Sequence, residues 1–153
     1  MQDRAADSVT HLERVHGLYP WTGPFAEIYA LTLAAAGRTA EARAAAPAPY
    51  FRHWDAFWLL MAGVRGLLAV ATDDRERAEW AYEALLPYAA RPTGADTGIM
   101  TLGPAAQILG DLAGYLGLPA AITHYQHALV IAERAGVPLW RDTATRRLAA
   151  LTG

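Results

Sequence analysis

Cysteine is absent from the 153 residues. That removes disulfides, zinc-thiolate sites and thiol nucleophiles together, and it fits a reducing compartment. Lysine and asparagine are absent too, so all 13 positive charges are arginines, set against 15 acidic residues for a net charge of −2. The two signs are interspersed. Without a basic face to neutralise phosphates, the interaction that supplies most nucleic-acid affinity is missing, and direct DNA or RNA binding is not expected. Serine occurs once, at Ser8, with no G-x-S-x-G elbow around it, so it has no setting for acyl transfer. Arg65 or a glycine interrupts each apolar run before about 18 residues, and the N-terminal MQDRAADSV has no apolar core behind a positive start. A soluble, cytoplasmic protein with no membrane partner is the expectation.

What the chain has instead is alanine, more than a fifth of all residues, the strongest helix former. Its length suits one domain, which at this size buries roughly two-thirds of its unfolded surface. A repeat is visible. Gly23-Pro24 is followed 14 residues on by Gly37, and Gly103-Pro104 is followed 14 residues on by Gly117, with apolar residues at helical spacing in each interval. Glycine at the N-cap, proline at the first helical position and glycine at the stop describe one helix used twice. Each leads into a second helix, through Ala42 and Ala46 in the first case and Ala121, Tyr125 and Ala128 in the second.

A long apolar helix over residues 53–71, a turn at residues 72–74 and a return over residues 75–90 make a pair between them. Asp73 with Glu76 has the form of a capping box, and Pro87 should end the return helix near Leu86. Ser8 can cap a short helix over residues 8–16, and Pro138 can open a final one to residue 151 with Arg141, Arg146 and Arg147 on its outer side. Residues 91–98, rich in Gly, Thr and Asp, read as a mobile loop. The sequence thus predicts an all-α domain without a sheet, a stack of helical hairpins at about 24–46, 53–90 and 103–135 with capping helices at both ends.

Leu109-Gly110, Ala113, Gly117, Ala121, Tyr125 and Ala128 are similar to the small and large positions of a tetratricopeptide repeat, which implies antiparallel hairpins stacked as a right-handed α-solenoid. Leu85-Leu86-Pro87-Tyr88-Ala89, Leu102-Gly103-Pro104, Leu109-Gly110-Asp111-Leu112-Ala113 and Gly136-Val137-Pro138-Leu139-Trp140 form a narrower series. It resembles the C-terminal helical region of large actinobacterial ATP-binding transcription regulators of the LuxR type, including cyclase-linked relatives. In that family the region lies beside an ATPase domain and is taken to receive effectors or protein partners. No phosphate loop and no helix-turn-helix occurs in this sequence, so the family's ATPase and DNA-binding activities do not carry over.

Arg65 is the only charge in residues 56–71, and a buried guanidinium requires an acceptor. Glu27 and Asp111 hold comparable positions on the first helices of their hairpins, which suggests a Glu27, Arg65, Asp111 cluster. It could be an inter-repeat salt bridge or an arginine presented to an anionic ligand. Gln107, Asp111 and Tyr115, four apart, form a polar stripe that could line a groove or simply be solvated. Tyr50, Phe51, Trp54, Phe57 and Trp58 make a dense aromatic segment, read as core; the alternative is an apolar pocket lined by Tyr50, His53, Trp54, Asp55 and Trp58. His124 and His127 lack a third ligand at metal spacing and flank an inward Tyr125. No cofactor, metal site or catalytic residue is expected. The reading is a protein-interaction or effector-sensing module whose partner is a protein or a small effector. Self-association or partner docking is expected through an N-terminal half that leaves Tyr19, Trp21 and Phe25 without local cover. The alternative is a free-standing small-molecule binder or enzyme with an aromatic-lined pocket.

Overall fold

Alanine and leucine lose little side-chain freedom in a helix, and the computed structural model is accordingly mostly helical over the residues it describes, 2–18, 24–46, 56–95, 98 and 100–152. Eight α-helices occur among these: α1 (Gln2–Leu18), α2 (Pro24–Ala35), α3 (Thr39–Ala45), α4 (Trp58–Thr72), α5 (Arg75–Leu85), α6 (Ala105–Leu116), α7 (Ala121–Ala135) and α8 (Pro138–Thr152). A 3-10 turn over Leu86–Tyr88 ends α5 where Pro87 removes a donor. Turns fall at Gly37, Asp73 and Gly117, as expected. Gly117 closes α6 at φ 73°, and its N–H reaches back to the last turn, a left-handed stop that glycine adopts without a Cβ penalty. No helix among the described residues is long and apolar enough to cross a membrane.

Four local expectations are corrected. Residues 91–98 are not simply a loop, because β1 (Pro92–Gly94) pairs antiparallel with β2 (Thr101–Pro104), so the fold contains a small sheet. Thr93 is fully buried against α4, and a hydrogen bond from Ala105 N to Arg91 O closes the ladder onto α6. Gly103 and Pro104 therefore finish a strand, and Pro104 stands at the N-cap of α6 with extended backbone instead of inside the helix. At the next turn Asp74, not Asp73, caps α5 by accepting from Arg77 N; Asp73 is the left-handed residue that ends α4 at φ 57°. Ser8 lies inside α1, which already begins at Gln2, and so does not open the helix.

Each helix packs on its sequence neighbour, and α2, α4 and α6 also pack side by side. The α4 helix is central, with α2, α5, α6 and both strands against it. Three apolar clusters follow one another along the chain. Val9, Leu33 and Ala42 join α1, α2 and α3; Ala62, Ala69, Ala81, Leu85, Ile108 and Leu112 belong to the cluster of α4, α5 and α6; Ala106, Ala128 and Ala144 join α6, α7 and α8.

Small residues set the spacing of these helices. A Cβ at Gly110 would lie 2.5–2.8 Å from ring carbons of Tyr125 on α7, whereas one at Gly114, on the same helix, would meet nothing within 4 Å. Gly110→Ala should therefore destabilise, since overpacking costs about 1–3 kcal/mol against an intrinsic helix gain of about 1 kcal/mol. Gly114→Ala should stabilise by about 0.5–1 kcal/mol. Urea unfolding of the two variants checks the sign of each change.

Candidate functional site

Arg65 emerges from the middle of an otherwise apolar helix, and the fold gives it a fixed acceptor. Its Nε donates to Glu27 Oε1 at 2.6 Å, with side chains only 6% and 1% exposed. Glu27 lies in the first turn of α2, where the helix dipole favours a carboxylate. On the other side the guanidinium carbon sits 5.1 Å from the ring centroid of Trp80, a cation–π contact from α5. The second carboxylate oxygen, Glu27 Oε2, is buried without a hydrogen-bond partner among the described residues.

Asp111 does not join this pair. Its Oδ1 accepts from the Tyr125 hydroxyl at 2.7 Å and forms an ion pair with Arg147, whose Nε lies 3.0 Å away, which places it against α7 and α8. The reason is rotational: α6 turns Ile108 and Leu112 toward Gly63 and Gly66 of α4, and position 111 lies about 100° round the helix from 112. Burial pushes the Asp111 carboxyl above the usual range, against the Tyr125 hydrogen bond and the Arg147 charge. Burial, then the hydrogen bond to Asp111, also raises the Tyr125 hydroxyl.

The remaining stripe residues separate in the same way. Tyr115 donates to Asp73 Oδ1 at 2.8 Å, tying the end of α6 to the α4–α5 turn. Gln107 is half-buried and its Oε1 has no partner among the described residues. Gln107, Asp111 and Tyr115 thus do not act as one row. Of the aromatic alternative, Tyr50, His53, Trp54 and Asp55 lie outside the described residues. Trp58 is half-buried with its ring 5.3 Å from Tyr88, a packing contact. Tyr19 and Trp21 also lie outside the described residues, and Phe25 is 62% exposed.

His124 is buried rather than at an exposed flank, because the inward face of α7 runs through Ala121, His124, Tyr125, Ala128 and Ala132, an i, i+3, i+4, i+7 pattern that includes it. Its Nε2 lies 2.9 Å from the Tyr82 hydroxyl. Burial, with a smaller contribution from the charge of His127, holds its pKa below the usual value of 6.5. Among the described residues no group of three or more His, Asp or Glu side chains could hold a metal ion.

One feature of the surface escaped the sequence reading. A cavity of about 420 Å³ opens where α3 meets the α4–α5 turn, lined by Arg43, Thr72, Asp73, Asp74, Arg75 and Arg77 among others. The charged run Asp73-Asp74-Arg75-Glu76-Arg77 was its only local trace, and it reads as a turn and a helix start.

No family model, curated protein or solved structure matches the chain.

Two outcomes follow from the buried groups. Arg65→Met leaves Glu27 charged and alone inside the fold and should cost about 3–5 kcal/mol, whereas Glu27→Met with Arg65→Met should recover most of that loss. A double variant as unstable as the single one would place the value of Arg65 in its contact with Trp80; chemical denaturation distinguishes the cases.

His124 sets a pH dependence. Its folded pKa lies below its unfolded one, so the native state is at full advantage above about pH 6.5 and loses stability as the pH falls and the unfolded chain takes up the proton. Asp111, raised by burial, works in the opposite sense at lower pH. The difference between wild type and His124→Gln, measured by urea midpoints at about pH 7.5 and 5.5, should therefore show a smaller acid loss in the variant.

Proposed function

We propose that this chain is a non-catalytic binding module of the tetratricopeptide-like kind, serving a protein partner or a small effector. The observation that carries the reading is the packing order: α2, α4 and α6 lie side by side, while α3, α5 and α7 each pack on the helix before them and, through α3 on α4, α5 on α6 and α7 on α8, on the helix after. Such an order supports stacked hairpins, in which each unit would be stabilised by the next and the stack would present extended surfaces for recognition. The likeness to the helical region of ATP-binding LuxR-type regulators gives such a module a context, as the receiving part of a signal-responsive transcription regulator in the cytoplasm.

The N-terminal half is the proposed docking side, with a second copy of the chain as its partner. Phe25, at the start of α2, is 62% exposed and stands on the side proposed for the contact. A specific contact there should bury more than about 1,000 Å².

Size-exclusion chromatography with light scattering tests this directly. The wild-type chain should form dimers at concentrations of the order of tens of micromolar, and Phe25→Asp should return it to a monomer with unchanged helical circular dichroism. A wild-type monomer under those conditions would remove self-association from the proposal. Hydrogen exchange tests the stack itself: graded protection, with the pair α2 and α3 opening separately from α4 to α6, is expected of nearest-neighbour units. A single cooperative opening of all helices would refute it.

A further inference from the structure

The cavity between α3 and the α4–α5 turn holds charged groups whose bonding capacity the fold does not exhaust. Arg43 reaches across from α3, and its Nε donates to the carbonyl oxygen of Thr72 at 2.6 Å. That partner is neutral. Among the described residues no carboxylate pairs with the Arg43 guanidinium, so within these residues its charge and its terminal N–H groups have no match.

The acids in the same wall are already held from within. Both Asp74 oxygens accept from Arg77, one from its backbone N–H at 3.0 Å and the other from Nε at 3.1 Å, and Asp73 Oδ1 accepts from Tyr115. Arg75 completes the wall. Its ion pair with Glu79 lies in solvent, 66% and 56% exposed, where such a pair contributes about 0–1 kcal/mol and is easily exchanged. Among the described residues the wall thus offers the terminal N–H groups of Arg43 and a readily exchanged Arg75, with Asp73, held by the neutral Tyr115 hydroxyl, as the acid that no arginine balances. The cavity's volume of about 420 Å³ falls within the range of small-molecule sites, about 300–1,000 Å³.

We propose that this cavity binds the oxyanion group of a small molecule, a carboxylate or a phosphate, between Arg43 and Arg75. Guanidinium groups bind both anions through paired, charge-assisted hydrogen bonds. The site does not depend on the repeat reading, because it is built from one turn and the arginine facing it.

Calorimetric titration with inorganic phosphate, and separately with malonate, at constant ionic strength tests the site. Saturable binding of at least one anion is expected, weakened about tenfold or more in Arg43→Gln and strengthened in Glu79→Gln, which releases Arg75. Arg141→Gln, altering an exposed pair on α8, should leave binding unchanged and so separates the site from general charge attraction. A preference for phosphate assigns a phosphorylated ligand, and a preference for malonate a carboxylate. Failure of both anions to saturate, or equal affinity in wild type and Arg43→Gln, overturns the proposal. Should loss of the Thr72 contact unfold Arg43→Gln, Glu79→Gln decides alone, and no tightening there overturns it as well.

Discussion

The burial of Arg65 is the constraint on which the packing of α2, α4 and α5 depends. A guanidinium inside an apolar helix stays charged only if an acceptor is fixed beside it, because stranding one partner of a buried pair costs about 3–5 kcal/mol. Glu27 supplies that acceptor from α2, and Trp80 covers the guanidinium from α5. Three helices are thereby held in one mutual arrangement. Sliding α2 along α4 by a single turn, about 5.4 Å, would leave two buried charges without partners.

The same pair contributes little to net stability. Leu68, Leu85, Leu109 and Leu112 are all fully buried, and at about 1.5–3 kcal/mol each they supply about 6–12 kcal/mol together. An ion pair that has been fully desolvated contributes nothing comparable over a well-packed apolar substitute. Hydrophobic burial, however, is non-directional. Alanines and leucines alone would accept several registers of α2, α4 and α6, and the selection among them falls to features that cannot be shifted. These are the Glu27–Arg65 pair and the close approaches at Gly63 and Gly110, where a neighbouring side chain occupies the space a Cβ would need.

This division explains what could be read from the sequence. The helices and most of their ends were legible because glycine, proline and alanine act locally: Gly37, Pro87, Gly117 and Pro138 mark boundaries within a residue or two. Arg65 was legible as a buried charge needing an acceptor, but the choice of Glu27 over Asp111 depends on how α6 is rotated about its axis, which no local spacing encodes. The strand pair was missed because Thr93 and Thr101 stand among Gly, Pro and Asp, and their pairing is stabilised by α4, to which Gly63 gives access. His124 was misplaced by one position of the helical stripe. The cavity was hidden because Arg43 meets Thr72 from 29 residues away.

The α4–α5 turn is also where the separate helix pairs meet. Arg43 arrives from α3 on Thr72 O, Tyr115 arrives from the last turn of α6 on Asp73, and Arg77 closes the turn from α5. Each bond is modest, about 0.5–1.5 kcal/mol net, but all three act on adjacent residues. Arg65 lies seven residues before Thr72 on the same helix, about two turns away. Its pairing with Glu27 opposes any sliding of α4 as a body, so the turn is held from both sides, by that pair and by the bonds that reach it from α3, α5 and α6.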